Sequence, residues 1–305
     1  MNQIGLDALI SPASTESFFK NNWLKKPFVV HDLKDTVRSL TELPFLQSLD
    51  ALLSSWQDSV QVHLPDRKDE SSSIDVNPKV AFKLFSNQMA LLFNNAEKQS
   101  SILKNWLNAM TSDLGLPAST HARCMVYVTP DGKGTATHFD QNVNFVLQLH
   151  GTKKWCLAEN LSVKNPTERH TQGHEIDSEL ASYVDSELVK EIPRYSEEII
   201  LSPGSMLFVP RGWWHSTEAA GQAMALNFTF SQPSWADLFL MALRSRLVLS
   251  SQWRELADQV NSLDSLQKEI AVQKFNILLL DLVEDLPNWR AEDILNATEG
   301  WNHER

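Results

Sequence analysis

Two hydrophobic periods divide the chain. Between Arg123 and Phe230 the apolar residues fall in short runs: "RCMVYVTP", "HFDQNVNFVLQLHG", "KKWCLAEN", "EEIILSPG", "SMLFVPRG" and "MALNFTFS". These runs are rich in β-branched and aromatic residues and are bounded by Gly, Pro, Asn and Asp, so they predict the strands of a sandwich or barrel. On either side the apolar spacing is helical. "SPASTESFFKNNWLKKP" opens on Ser/Thr caps and stops at Pro27, and "AFKLFSNQMALLFNNAEK" and "SILKNWLNAMTSDLG" follow, the last closed by Gly115. "PFVVHDL" and "SVQVHLP" read as short strands within this region, and "DRKDESSS", Asp66 to Ser73, as a polar loop. After Pro233 the helical period returns in "SWADLFLMALRSRLVL", "SSQWRELADQV" and "SLQKEIAVQKFNILLLDLVEDL". The expected plan is a mainly helical region 1–120, a β core 121–232 and a helical region 233–305. Within the core, residues 161–195 form a polar insertion too long for a tight turn, of the kind that often carries function.

Composition narrows the class. At 305 residues, with 42% hydrophobic residues and ten tryptophans, the chain can bury a substantial core. No apolar run approaches the roughly 18 residues of a membrane span. The start, "MNQIGLDALISPASTESFF", lacks the basic opening and continuous apolar stretch of a secretory signal. Cys124 and Cys156 sit in strand-like runs without CxxC spacing and read as buried, reduced thiols. These features predict a cytoplasmic protein. A net charge of −11 argues against wrapping a nucleic acid, although a small basic groove could lie inside an acidic protein.

The candidate chemistry starts at "THFDQNVNF", read as a strand, where His138 and Asp140 are two residues apart and would project from one face. Such a pair can be a hydrogen-bonded couple or two ligands of a metal. A facial triad needs one further histidine, and His215 in "VPRGWWHS" is the candidate; two imidazoles and a carboxylate suit Fe(II) and leave adjacent positions open. In "TKKWCLAE", Lys153 and Trp155 share one face and Lys154 takes the other, so one lysine must face inward if the sheet packs on both sides. A buried lysine needs an anion. Trp213 and Trp214 are core residues, or one of them walls the metal pocket and keeps it dry. His170 and His174 in "HTQGH" have helical metal spacing, but Gly173 and a missing Glu favour a surface loop. In the tail, Trp235, Leu238, Phe239 and Ala242 share a helix face that Leu249 continues, suited to packing on a partner or on the barrel.

Taken together, "YVTPDGKGTATHFDQNVNFVLQLHGTKKW", "LSPGSMLFVPRGWWHSTEA" and "ALNFTF" resemble the JmjC group of Fe(II)- and 2-oxoglutarate-dependent oxygenases. The shared motifs are His-x-Asp, a lysine fifteen residues after the first ligand, a Pro-Gly turn and a "WWH" carrying the last ligand. "YVTP…HFD…FVLQLHGTKKW", "TFSQPSWADLF" and the entry helix "FFKNNWLKKPFVV" are most similar to ribosomal oxygenases, which hydroxylate ribosomal-protein side chains. Asn144 and "WWH" resemble the asparaginyl hydroxylase that acts on hypoxia-inducible factor. The resemblance implies a mostly β core with α additions: a double-stranded β-helix (jelly roll, cupin-like) flanked by N-terminal helices and a C-terminal helical element, a site of homodimerisation. It implies His138, Asp140 and His215 as iron ligands and Lys153 as the partner of the distal 2-oxoglutarate carboxylate. Thr135 and Tyr127 match hydroxyls that help hold that carboxylate, and Asn144 and Asn227 match amides near its metal-bound end. The segment from Tyr127 to His138 is one residue shorter than in ribosomal oxygenases. The tail after Pro233 also has room for a helical element but hardly for the winged helix that ends those enzymes. The implied reaction hydroxylates a C–H bond of a protein or peptide side chain with O2, releasing succinate and CO2. The alternatives are the same chemistry on a small metabolite or modified nucleoside, or a metal-binding cupin that is not an oxygenase.

Overall fold

The structure is a computed structural model that describes residues 4–64 and 72–298; nearly all of the expected polar loop Asp66–Ser73 lies outside the described residues. The N-terminal region contains α1 (Leu6–Ile10), α2 (Thr15–Asn21), β1 (Phe28–Val30), α3 (Arg38–Thr41), α4 (Leu49–Ser55), β2 (Val60–His63), β3 (Ser73–Val76), α5 (Pro78–Ser86), β4 (Leu91–Phe93) and α6 (Ser101–Asp113). The β core contains β5 (His121–Thr129), β6 (His138–Phe139), β7 (Val143–Ala158), β8 (His170–Thr171), α7 (Ser178–Ala181), β9 (Glu197–Leu201), β10 (Met206–Val209) and β11 (Trp214–Ser231). Helices α8 (Trp235–Leu247), α9 (Ser265–Asp285) and α10 (Ala291–Thr298) follow.

The helices begin where a side chain can take an orphan amide. Ser14, Ser48, Asn77 and Ser100 each accept a backbone N–H from the first turn of α2, α4, α5 and α6. Helix α6 stops before Gly115, whose φ of 61° lies in the left-handed region. The expected helix through "AFKLFSNQMALLFNNAEK" is only half right. It ends at Ser86, Gln88 takes a φ of 66°, and Leu91–Phe93 returns as a buried strand pairing Leu91 with Val128 of β5. Three consecutive buried residues fit both periods, and the open edge of β5 decides between them.

All the strand pairings are antiparallel, in the order β1-β10-β7-β11-β5-β4-β2-β3, with β9 on β7 and β6 on both β11 and β8. Two long strands make this a double-stranded β-helix. β7 pairs its first half with β10 and its second with β9, while β11 pairs its first half with β6 and its second with β5. The two run together from Trp214 opposite Ala158 to Phe230 opposite Val143, and the register shifts between Ala220 and Met224. Such irregularities bend strands, and here the bend turns one ribbon into two facing layers. The stretch "THFDQNVNF" is therefore not one strand: β6 ends at Phe139 and β7 begins at Val143, leaving Asp140 on the connection.

The outer face is sealed by the N-terminal region, which joins the β core in one compact unit. Phe18 of α2 packs edge-on against Phe208 at 5.1 Å, and Trp106 of α6 stacks on Phe228 at 6.4 Å. Each such side chain removed from water contributes roughly 1.5–3 kcal/mol. A smaller cluster beneath the insertion joins Phe139, Ala158, Val163, Leu180 and Trp214. The second unit runs from Gln232 and includes Pro117–Thr120. In it a capping box between Ser234 and Asp237 starts α8, and Arg246 holds the Asp285 carboxylate through Nε at 2.6 Å and Nη2 at 2.5 Å. Of the expected α8 stripe, Leu238 and Ala242 are buried, whereas Trp235 and Leu249 are 81% and 78% exposed. Among the described residues no helix is long and apolar enough to cross a membrane.

Candidate metal centre

Strand register brings the first two donors together. His138 on β6 lies directly opposite His215 on β11, with ring centroids 4.1 Å apart. Asp140 follows β6 by one residue and turns its carboxylate between them, 3.9 Å from His138 Nε2 and 3.7 Å from His215 Nε2. These separations are too long for hydrogen bonds, so the His-x-Asp pair is not a hydrogen-bonded couple.

The histidine tautomers follow from the backbone. His138 Nδ1 lies 2.7 Å from the Ala136 carbonyl oxygen and His215 Nδ1 lies 2.9 Å from that of Trp213. A carbonyl only accepts, so each Nδ1 carries the hydrogen and each Nε2 presents a lone pair. Burial, reinforced by His215, lowers the His138 pKa to about 3, which keeps this ring neutral at ordinary pH. Burial pushes Asp140 up, but His138, His215, Arg169 and the Asn144 amide together hold it below the usual carboxylate range. Two lone pairs and an ionised carboxylate, all within 4.8 Å of one another, are a ligand set for a divalent cation, and two nitrogens with one oxygen fit iron(II).

Neighbouring side chains orient this set. Asn144 Nδ2 donates to Asp140 Oδ2 at 3.2 Å, and its Oδ1 accepts from Asn227 Nδ2 at 3.1 Å and Thr229 Oγ1 at 2.8 Å. Arg169 Nε lies 3.3 Å from Asp140 Oδ1. Trp155 lies nearly parallel to His215, with centroids 5.7 Å apart. Partners of this kind fix ligand orientation and basicity.

The triad opens into a cavity of about 430 Å³ that Tyr127, Thr135, Asn144, Lys153 and Asn227 also line. The eight residues that the resemblance implies as metal ligands and co-substrate contacts therefore line one cavity. Lys153 is buried and donates from Nζ to Thr129 Oγ1 at 2.9 Å, whereas Lys154 is half-buried beside Glu198 and Glu218. Thr135 is held by Thr217, whose Oγ1 accepts the Thr135 amide at 3.0 Å and lies 3.0 Å from the Thr135 hydroxyl.

Two expectations need correction. Neither Trp213 nor Trp214 lines the cavity: Trp214 is fully buried against Phe139, and Trp213 donates its indole N–H to the Lys25 carbonyl. Trp155 is the indole beside the metal ligands. His170 is not on a surface loop but buried in β8, packed on Phe139 and Trp214, while His174 is exposed. Sequence reasoning also missed Arg123, Thr129, Arg169, Thr217 and Thr229. The alternation Arg123, Met125, Tyr127, Thr129 along β5 would have found two of them, since it places them on the face of Tyr127. Arg169 has no such signal, because it lies in the aperiodic insertion.

Comparisons with known proteins place this geometry. A family model described as the JmjC domain matches residues 100–238. The uncharacterised protein YxbC of Bacillus subtilis is 31% identical over 300 residues, covering 96% of this chain and 91% of YxbC. Ribosomal oxygenase 1 of Danio rerio is 27% identical over 255 residues, or 80% of this chain, but this chain spans only 44% of its length. The structure of YcfD, a ribosomal oxygenase from Escherichia coli in complex with cobalt and succinic acid, shares the fold with a TM-score of 0.54 at 17% identity, covering 94% of this chain and 69% of that one. With its facial triad on a double-stranded β-helix, and with these relationships extending across most of its length, the chain belongs to the JmjC-domain family.

Proposed function

We propose that this protein is an Fe(II)- and 2-oxoglutarate-dependent oxygenase that hydroxylates a C–H bond of a protein or peptide side chain. The observation that carries this reading is the cavity, where two Nε2 lone pairs and the Asp140 carboxylate converge on a wall that also holds the buried Lys153. Relatives named as ribosomal oxygenases, and a fold neighbour holding cobalt and succinic acid, support the same chemistry. When bound, iron(II) with 2-oxoglutarate activates O2, one oxygen atom entering the substrate as hydroxyl and the other succinate, with loss of CO2.

The residues have separable roles. His138, Asp140 and His215 hold the metal, and the Ala136 and Trp213 carbonyls keep both imidazoles in the ligating tautomer. Lys153, positioned by Thr129, pairs with the distal co-substrate carboxylate, assisted by Tyr127 and the Thr135–Thr217 hydroxyl pair. A charge-assisted contact of this kind is stronger in a closed barrel than in water. Asn227 holds Asn144, which sets the Asp140 carboxylate, and both amides would lie near the metal-bound end of the co-substrate. Trp155 covers one face of His215 and excludes water.

Purified protein with Fe(II), ascorbate and 2-oxoglutarate should release succinate, and His138→Ala and Asp140→Ala should abolish that release. Wild-type turnover in either variant would refute the assignment. In the metal-loaded protein, 2-oxoglutarate should raise the melting temperature and should fail to do so in Lys153→Ala. An unchanged melting temperature in the native protein would favour a metal-binding cupin of other function. The proposal includes a cytoplasmic location and a homodimer formed through the C-terminal helices, where α9 buries none of its residues.

A further inference from the structure

The cavity has two cationic ends. On β5, Thr129 receives the Lys153 ammonium, while Arg123 sits six residues away on the same face, roughly 20 Å along the strand. Arg123 is opposite Thr229, which is in turn opposite Asn144, the amide that orients Asp140. Arg123 is thus on the strand beside β11, level with Asn144, and at the end away from the proposed co-substrate anchor. Its Nε is buried and has no hydrogen-bond partner among the described residues. The Trp155 indole N–H, beside His215, is in the same state. Arg169 of the insertion brings a second guanidinium to the same cavity.

The charge balance is lopsided. Among the described residues that line the cavity, Arg123, Lys153 and Arg169 are cations and Asp140 is the lone carboxylate. A divalent ion and dianionic 2-oxoglutarate offset each other, and Asp140 offsets one side-chain cation. The lining itself is thus richer in cations than in anions, in a protein whose net charge is −11. An arginine, lysine or N-methyl-lysine side chain entering this cavity would meet like charge in low dielectric.

We infer that Arg123 selects a substrate side chain bearing a carboxylate, so that the residue hydroxylated is aspartyl or glutamyl. This rests on the oxygenase reading above and keeps its stoichiometry: a substrate C–H becomes C–OH as O2 and 2-oxoglutarate become succinate and CO2. A guanidinium matches a planar carboxylate with paired donors. The Asn142 and Asn227 amide oxygens, buried without a partner, lie on the same wall and can accept a peptide N–H. The overall negative charge repels polyphosphate chains, which favours a carboxylate over a nucleic acid.

The test uses whole protein loaded with Mn(II) and 2-oxoglutarate without oxygen. Isothermal titration calorimetry follows acetyl-Gly-X-Gly-amide peptides with X as Asp, Glu, Gln or Arg, and adenosine monophosphate in parallel. The acidic peptides should bind about tenfold or more tightly than the Gln and Arg peptides. Arg123→Gln should erase that preference while Mn(II) and 2-oxoglutarate bind as before, and Arg123→Lys should keep part of it. Preference for Arg, Gln or the nucleotide, no binding by either acidic peptide, or an intact preference in Arg123→Gln overturns the inference. Loss of Mn(II) or 2-oxoglutarate binding by the native protein refutes the oxygenase reading itself, and this inference with it.

Discussion

At the scale of single residues, the cavity wall tolerates little change. A Cβ on Gly134 would lie 1.6 Å from the Thr217 carbonyl oxygen, next to the Thr135–Thr217 hydrogen bonds. Gly134→Ala must push the Thr135 segment off β11; we expect a loss of about 1–3 kcal/mol in a urea melt together with weaker 2-oxoglutarate binding. Asn144→Ala removes a donor from Asp140 and the acceptor shared by Asn227 and Thr229, so metal affinity by competition with a chelator should fall about 10–100-fold. The cysteines offer a check on burial. Burial, with Glu97 adding to it, pushes the Cys124 thiol well above its ordinary value, and burial followed by Glu198 raises Cys156. A disulfide reagent should modify Cys156 slowly, faster as pH rises toward its elevated pKa, and should reach Cys124 only in denaturant.

At the scale of elements, local signals and packing divide the work. Capping chemistry is local: the Ser/Thr caps expected ahead of Pro27 include Ser14 at α2, Ser100 and Ser234 start α6 and α8 in the same way, and Ser234→Ala should cost the second unit about 1 kcal/mol in thermal melts. The Arg246–Asp285 bridge ties α8 to α9. Hydrogen bonds from Arg246 and then Trp289 hold the Asp285 pKa at about 2. A depressed folded value means that the stabilisation is complete above the unfolded value of 3.8 and disappears as pH falls toward about 2. The melting difference between native protein and Asp285→Asn should therefore persist at neutral pH and vanish across that window. The break between β6 and β7 was not readable. Phe139, Val143 and Phe145 keep an alternating look across Asp140–Asn142, and only the separate pairings of His138 and Val143 along β11 show two strands.

At the scale of the whole molecule, α9 poses the main question. It carries Leu266, Ile270, Phe275, Ile277, Leu280 and Val283, all exposed. A helix with apolar residues on several faces is stable in water only when something covers it, and self-association with two-fold symmetry is the commonest cover. Light scattering should report a dimer, and Ile270→Glu with Phe275→Glu should halve the mass while leaving metal binding intact. A monomeric native protein would remove this proposal without touching the metal centre.

Taken by itself, the chain determined which chemistry was available: His138, Asp140 and His215 as candidate donors, one inward lysine of the pair Lys153 and Lys154, and a β core between helices. These were legible because ligand type, alternation and turn residues are local properties, and because the resemblance rests on the same residues. Tertiary structure decided what stands beside them. It chose Trp155 over Trp213 and Trp214, buried His170 against two rings, set Thr129 against Lys153, and brought Arg123, Arg169 and Thr217 into the cavity. The reason is range. Those placements follow from the register of β5, β7 and β11 and from an aperiodic insertion, and register is set by packing between segments far apart in the chain.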